Sequence, residues 1–176
     1  LAKKHLKKLT TPERVALPGH LGALLEAGHL EVGPYLEALK ALAADKHPIV
    51  IQGLISGLQT LHTNIASDEA LPKLSKLVGK LLGKHVKRIK TLPGKKDTQL
   101  VKMLRPRLLH AVAWMTGDAK LKKTAWELAH QWLADADSVA PEVVDWALPM
   151  AAWDGDEAYW SALTAALGTA TTPQLR

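Results

Sequence analysis

Apolar residues recur along this chain at intervals of three and four, which places them on one side of an α-helix. No segment alternates between apolar and polar residues with a period of two, so no β-strand is predicted. The helical spacing is regular from Ile51 to Leu61. It is regular again in the next stretch, at Leu74, Leu77, Val78, Leu81, Leu82 and Ile89. The pattern therefore predicts an all-α chain.

Residues that begin and end helices divide this pattern into about eight helices. Thr11 and Pro12 are typical of a helix start, Ser67 of an N-cap, and Gly28 of the residue that ends a helix. Prolines at positions 18 and 106 predict kinks within their helices. We expect helices over residues 11–27, 33–43, 48–61, 67–89, 98–117, 118–134, 141–152 and 156–167, and a ninth start at 171–173.

Consecutive helices with short connections predict antiparallel pairs. The pairs start near residues 12, 48, 98, 141 and 173, and the intervals between these starts bracket the roughly 40–47 residues of HEAT and armadillo units. We therefore predict one helical-repeat domain over residues 1–176, an α-solenoid of antiparallel helix pairs of the HEAT/armadillo-like superhelix type. Because the first residue is Leu, we interpret the chain as a fragment of a longer one.

Basic residues dominate one part of the chain. The formal net charge is +6, and twelve Lys and Arg lie between Leu71 and Arg107 beside a single acid, Asp97. Five lysines of the fourth predicted helix share a side that touches the apolar stripe only at its edge: Lys73, Lys76, Lys80, Lys84 and Lys87. A solvated helix face explains them. Binding of duplex nucleic acid through phosphates is the alternative, although base stacking is not favoured because this stretch contains no aromatic residue.

The tryptophans lie in the other half of the chain. All six fall between Trp114 and Trp160, and five of them stand among Ala and Leu at helical positions: Trp126, Trp132, Trp146, Trp153 and Trp160. We predict that they pack between helices. A stacking platform for sugars or bases is the alternative.

Motifs that carry catalysis are absent. Without Cys, the chain has no disulfide, thiolate zinc site, iron–sulfur cluster or cysteine nucleophile. No two His are four residues apart with a Glu between them, and no glycine-rich phosphate loop occurs. No apolar run reaches the roughly 18 residues of a membrane helix. We expect no catalytic, metal-binding or cofactor-binding residue here, no membrane partner, and a cytoplasmic location, with which the lack of Cys is compatible.

Two stretches resemble a known family. The first opens with Pro12-Glu13-Arg14-Val15-Ala16-Leu17 and continues through Leu24, Gly28 and Tyr35. The second combines Trp132-Leu133-Ala134-Asp135 with Pro141, Asp154-Gly155-Asp156-Glu157-Ala158-Tyr159-Trp160 and Thr172-Pro173-Gln174. Their order and spacing resemble the C-terminal helical domain of aminopeptidase N-type zinc metallopeptidases, of the endoplasmic-reticulum-aminopeptidase-like kind.

This resemblance implies a non-catalytic domain. In that family the zinc ligands and the catalytic Glu lie in a separate domain, so zinc is expected there and not in this fragment. The helical domain curves over the active site and controls which peptides enter. The implied partners are the catalytic domain of the same parent chain and a peptide substrate. The alternative is a free-standing helical-repeat scaffold that binds a protein or duplex nucleic acid through its basic face.

Four basic residues are candidates for contact with substrate. In a capping domain, a peptide held by its amino terminus would point its carboxylate towards the helices. Lys80, Lys84 and Lys87, together with Arg105 from the next helix, are the basic groups best placed to meet it. The alternative is that this face lies on the outside and is only solvated.

Overall fold

The described part of the chain is entirely helical. A computed structural model describes Leu6 and residues 8–169, and over these residues it contains α-helices, one π-helical turn and one 3-10 turn but no strand. The α-helices, numbered α1 to α8, span Thr11–Glu26, Val32–Leu42, Pro48–Thr60, Leu71–Ile89, Gln99–Thr116, Ala119–Ala134, Pro141–Trp153 and Glu157–Thr169. The prediction of an all-α fold with about eight helices is confirmed. The predicted ninth helix, which begins at 171, lies outside the described residues.

Most helix ends follow from local chemistry. At the start of α1 the backbone N–H of Thr10 donates to the Glu13 carboxylate at 2.6 Å, half of a capping box. The side chains of Thr98 and Asp118 accept hydrogen bonds from backbone N–H groups at the starts of α5 and α6. Gly28 and Gly117 adopt positive φ angles of 73° and 65° just after α1 and α5, a conformation that a side chain disfavours.

Some boundaries differ from the sequence prediction. α4 begins at Leu71 and not after Ser67, because residues 67–70 form a separate turn closed by a bond from the Leu71 N–H to the Ser67 carbonyl. Pro18 and Pro106 lie inside α1 and α5, and neither residue ends its helix. A π-helical turn, Leu61–Ile65, extends α3.

The odd-numbered helices stack in sequence. α1 contacts α3, α3 contacts α5, and α5 contacts α7. Of the even-numbered helices, α2 packs against α1 and α3, α4 against α5, and α6 against α7. Helix pairs that repeat in this way form a solenoid-like arrangement, in which each pair buries its apolar surface against the next pair.

One continuous core runs between the layers. Its fully buried members come from every helix from α2 to α7 and include Leu39, Ile51, Leu54, Leu58, Leu82, Leu104, Leu108, Leu109, Ala125 and Trp146. Close approach of α3 requires small residues: an added Cβ at Gly57 would lie 2.8 Å from both the Tyr35 hydroxyl and a Leu39 methyl group.

Two of the five tryptophan predictions are wrong. Trp146 is fully buried, and Trp126 and Trp132 are half-buried against the core clusters. Trp153 and Trp160 are instead 60% and 63% exposed. Their helical positions resembled those of core residues, but no neighbouring helix of the described chain covers them. Trp153 lies on the same side of α7 as the buried Trp146, at the last residue of the helix.

Arg105 also differs from its prediction. We expected it on an exposed basic face, yet its side chain is 0% exposed. Its guanidinium pairs with Asp97 and, at 2.5 Å, with Glu142, and it donates to the Ile89 carbonyl at 3.4 Å. Burial and pairing with two carboxylates remove Arg105 from the substrate-facing candidates, because an external carboxylate cannot reach a side chain that is closed off from solvent.

No helix within the described ranges is long and apolar enough to cross a membrane.

Candidate functional site

The first candidate surface is the lysine face, which consists of Lys73, Lys76, Lys80, Lys84 and Lys87 on α4. All five side chains are exposed. None of them makes a hydrogen bond or ion pair to another described residue. The placement of Lys80, Lys84 and Lys87 on one exposed helix face agrees with the sequence. Whether this face meets a substrate stays a prediction.

The second surface is a groove across three stacked helices. It encloses about 380 Å³, within the roughly 300–1,000 Å³ typical of ligand pockets. Helix α3 supplies one wall, α5 the opposite wall, and α7 one side chain. The lining residues are Gln52, Ile55, Ser56, Gln59, Pro106, Arg107, His110 and Asp145, and we refer to this site as the groove.

Helical geometry places the groove opposite the core. On α3, at about 100° per residue, Gln52, Ser56 and Gln59 cluster on the side opposite to Leu54 and Leu58. On α5, Pro106, Arg107 and His110 likewise lie away from the buried leucines, which are Leu104, Leu108 and Leu109. The groove therefore opens on the outer side of the odd-numbered layer.

Polar side chains of the groove lack partners within the described chain. No hydrogen bond or ion pair joins the side chains of Gln52, Gln59, Arg107, His110 or Asp145 to another described residue. Removal of the imidazole from water lowers the pKa of His110, which favours its neutral form. A neutral imidazole both donates and accepts a hydrogen bond. The groove thus offers amide, guanidinium, imidazole and carboxylate groups to whatever enters it.

An aromatic row flanks this groove. On α5, Trp114 lies one turn beyond His110 on the same side of the helix. Its ring centroid is 4.7 Å from that of His62 and 6.3 Å from that of Trp153. These residues come from α5, the π-helical turn after α3, and the end of α7, so the row crosses the same three helices. Trp153 is largely exposed and leaves an apolar face open to solvent.

The groove and the lysine face lie on opposite sides of α5. Contacts between α4 and α5 include the Ser75 hydroxyl, which donates to the Met115 carbonyl at 2.6 Å, and Arg105, which donates to the Ile89 carbonyl. Met115 and Arg105 are on the side of α5 that faces away from His110. The lysines, in turn, are on the side of α4 that faces away from its buried residues. One flat ligand cannot touch both surfaces.

The buried Arg105 connects these two regions. Through Asp97, Glu142 and the Ile89 carbonyl it joins the loop before α5, the start of α7 and the end of α4. The Gly94 N–H, which donates to Asp97 at 2.6 Å, and the Arg105 guanidinium hold the pKa of the Asp97 carboxyl below its usual range. Arg105 therefore joins α4, α5 and α7, the last two of which line the groove.

The described residues do not fit a zinc site. Over the described ranges, no group of three His, Cys, Asp or Glu side chains is placed to hold a metal ion. The carboxylates at helix ends act as caps or ion-pair partners instead: Asp118 caps α6, and Asp154 pairs with Lys122 at 2.8 Å. We assign no chemical step to any of these residues.

The groove was not predicted from the sequence. Gln52 and Gln59 are two helical turns apart, and Arg107 and His110 one turn apart, so each pair indicates no more than a polar helix side. The groove exists because α3, α5 and α7 are neighbours in space. A possible signal was the polar outer side of α3, where Gln52, Ser56 and Gln59 share one face of an otherwise apolar helix.

The fold and these surfaces define an all-α, solenoid-like helical domain. The whole chain, residues 1–176, matches the family model described as the ERAP1-like C-terminal domain. The chain therefore belongs to that family, which confirms the resemblance drawn from Pro12–Leu17 and the later tryptophan-containing stretch. A comparison with curated protein sequences gives no match.

Proposed function

We propose that this chain is the non-catalytic C-terminal domain of a zinc aminopeptidase, which caps the active site and controls the access of peptide substrates. The observation that carries the proposal is the family match over the whole chain. Its partner in this proposal is the catalytic domain of the same parent chain, which would supply the zinc, and its ligand is the peptide substrate.

Kinetics of the full-length protein test this proposal. The rates of hydrolysis of an aminoacyl arylamide and of a decapeptide are compared before and after removal of this domain. A capping domain changes the ratio of the two kcat/KM values, because only the long substrate extends from the catalytic centre to the helices. An unchanged ratio overturns the proposal.

Failure of the truncated protein to fold is controlled by a second measurement. The chain contains no Cys, so a single introduced cysteine is a specific attachment point within it. A bulky maleimide polymer is attached to Arg107→Cys, on the groove side, or to Lys80→Cys, on the lysine side. A polymer on the side that faces the active site slows decapeptide hydrolysis and spares the arylamide. If the polymer slows decapeptide hydrolysis at neither position, capping is contradicted.

Lys80, Lys84 and Lys87 stay candidates for the peptide carboxylate within this proposal. Exposed charge contacts contribute about 0–1 kcal/mol each, so a single substitution is expected to be silent. The triple Lys→Glu variant, assayed at low salt, raises KM for long peptides but not for dipeptides if these lysines meet the substrate.

A further inference from the structure

We propose that the groove between α3, α5 and α7 is a binding site for a free α-amino acid, whose carboxylate pairs with Arg107 and whose ammonium group pairs with Asp145. The ligand class is a small zwitterion and not a polypeptide. This inference goes beyond the proposed function and does not depend on it, because the amino acid binds the domain whether or not the domain caps an active site. It is carried by two opposite charges that line one cavity without pairing with each other.

Helices α5 and α7 bring two sets of opposite charges together. The first set is closed, since the buried Arg105 guanidinium donates to the Glu142 carboxylate at 2.5 Å. The second set consists of Arg107, two residues further along α5, and Asp145, one turn further along α7. These two side chains line the groove, and neither makes a hydrogen bond or ion pair to another described residue. The same two helices therefore leave one guanidinium and one carboxylate open to a ligand.

A zwitterion matches two open charges on the wall of one cavity. An α-amino acid carries its carboxylate and its ammonium group on the same carbon atom, so one small molecule can meet both Arg107 and Asp145. A guanidinium binds a carboxylate through two parallel hydrogen bonds, and a carboxylate accepts hydrogen bonds from an ammonium group. A ligand with a single charge would leave the other side chain of the groove without a partner.

The other lining residues fit the rest of an amino acid. Burial lowers the pKa of His110, so its neutral imidazole adds no third charge to the groove. Ile55 and Pro106 are the apolar lining residues, and they offer contact to an aliphatic side chain. The volume of about 380 Å³ lies near the lower end of the range for ligand pockets. We therefore choose L-leucine as the probe.

The experiment compares four related probes by isothermal titration calorimetry on the full-length protein. L-leucine carries both charges, L-leucinol lacks the carboxylate, and N-acetyl-L-leucine lacks the ammonium group. N-acetyl-L-leucinamide lacks both charges and resembles one residue inside a peptide. The groove variants are Arg107→Met and Asp145→Asn, and the control is Lys80→Met, which removes a charge from the lysine face. A site elsewhere in the full-length protein contributes equally to all variants, so it cancels in their comparison.

We expect L-leucine to bind the wild-type groove about tenfold more tightly than either probe with one charge, since a charge-assisted hydrogen bond is lost. Arg107→Met should weaken L-leucine about tenfold and abolish the difference between L-leucine and L-leucinol. Asp145→Asn should abolish the difference between L-leucine and N-acetyl-L-leucine. Lys80→Met should bind every probe as wild type does. Both groove side chains are exposed, so these variants should fold, and thermal unfolding checks that they do.

Three results overturn the inference. If N-acetyl-L-leucinamide binds as tightly as L-leucine, the groove recognises a neutral main chain and not a zwitterion. If both groove variants bind L-leucine as wild type does, the amino acid binds elsewhere. If L-leucine gives no binding signal at millimolar concentration, the groove is not an amino-acid site. None of these results bears on capping, which is tested separately by the decapeptide and arylamide kinetics.

Discussion

The lysine face and the groove differ in how they are built. The lysine face belongs to a single helix, and its five side chains share one sign of charge and extend into solvent. The groove is made by three helices whose residues are up to 93 positions apart, from Gln52 to Asp145. A like-charged helix face is usually only solvated, whereas a concave polar site needs precise stacking. The comparison teaches that a sequence pattern can identify a surface made by one helix but not a surface made by three helices.

The largest expected effect separates two tryptophans of α7, one in the core and one in the last turn of the helix. Trp146 is 0% exposed and Trp153 is 60% exposed, seven residues further along the same helix. Trp146→Ala should lower the free energy of unfolding by about 3–5 kcal/mol, because it leaves a large cavity in the core. Trp153→Ala should change it by less than about 0.5 kcal/mol.

Chemical denaturation with urea measures both values. Equal losses of stability for the two variants would contradict the exposed position of Trp153.

Two arginines on α5 give the next comparison. Arg105→Met removes the partner of Asp97 and Glu142, both of which have side chains that are 21% exposed. Partial solvation of these carboxylates places the expected loss at about 3 kcal/mol, the lower end for a broken buried pair. Arg107→Met, two residues away in the groove, should be within about 0.5 kcal/mol of wild type. Thermal unfolding tests this difference, and a stable Arg105→Met protein would contradict a structural role for the buried ion pairs.

Substitution of one glycine on α3 and one on α4 compares how closely these two helices are packed. At Gly57 of α3 an added methyl group would lie 2.8 Å from the buried Tyr35 and Leu39 side chains, and we expect Gly57→Ala to cost about 1–3 kcal/mol. An added Cβ at Gly83 of α4 meets nothing within 4 Å. Gly83→Ala should therefore stabilise the protein by about 0.5–1 kcal/mol through helix propensity. The opposite signs are measured by urea denaturation, and a destabilising Gly83→Ala would show that α4 is more closely packed than described.

The smallest expected effect is a pH dependence on the buried side of α4. Burial is the main cause that lowers the pKa of His85, and nearby Lys84 and Arg88 lower it further. The contact of its Nε2 with the Ala43 carbonyl oxygen at 3.0 Å and the charge of Asp45 oppose this shift. Since the unfolded imidazole titrates near pH 6.5, the unfolded state binds more protons below that pH. Stability is therefore fully present above about pH 6.5 and falls as the pH drops below it.

His85→Gln tests this dependence. The variant should lose less stability than wild type between pH 7.5 and pH 5.5, as followed by urea denaturation at each pH. His20→Gln is a matched control, because the side chain of His20 is exposed and makes no hydrogen bond to another described residue. A wild-type stability that is flat over this interval would contradict the neutral form of His85.

The sequence by itself determined the secondary structure, the family and the exposed lysines. Apolar spacing, capping residues such as Thr98 and glycines such as Gly117 act over one helical turn, so they can be identified locally. Tertiary structure alone decided that Arg105 is buried, that Trp153 is exposed, and that α3, α5 and α7 join to form a groove. Helical periodicity shows which residues share a side of one helix but not which neighbour covers that side, and this choice is made by the stacking of the helix pairs.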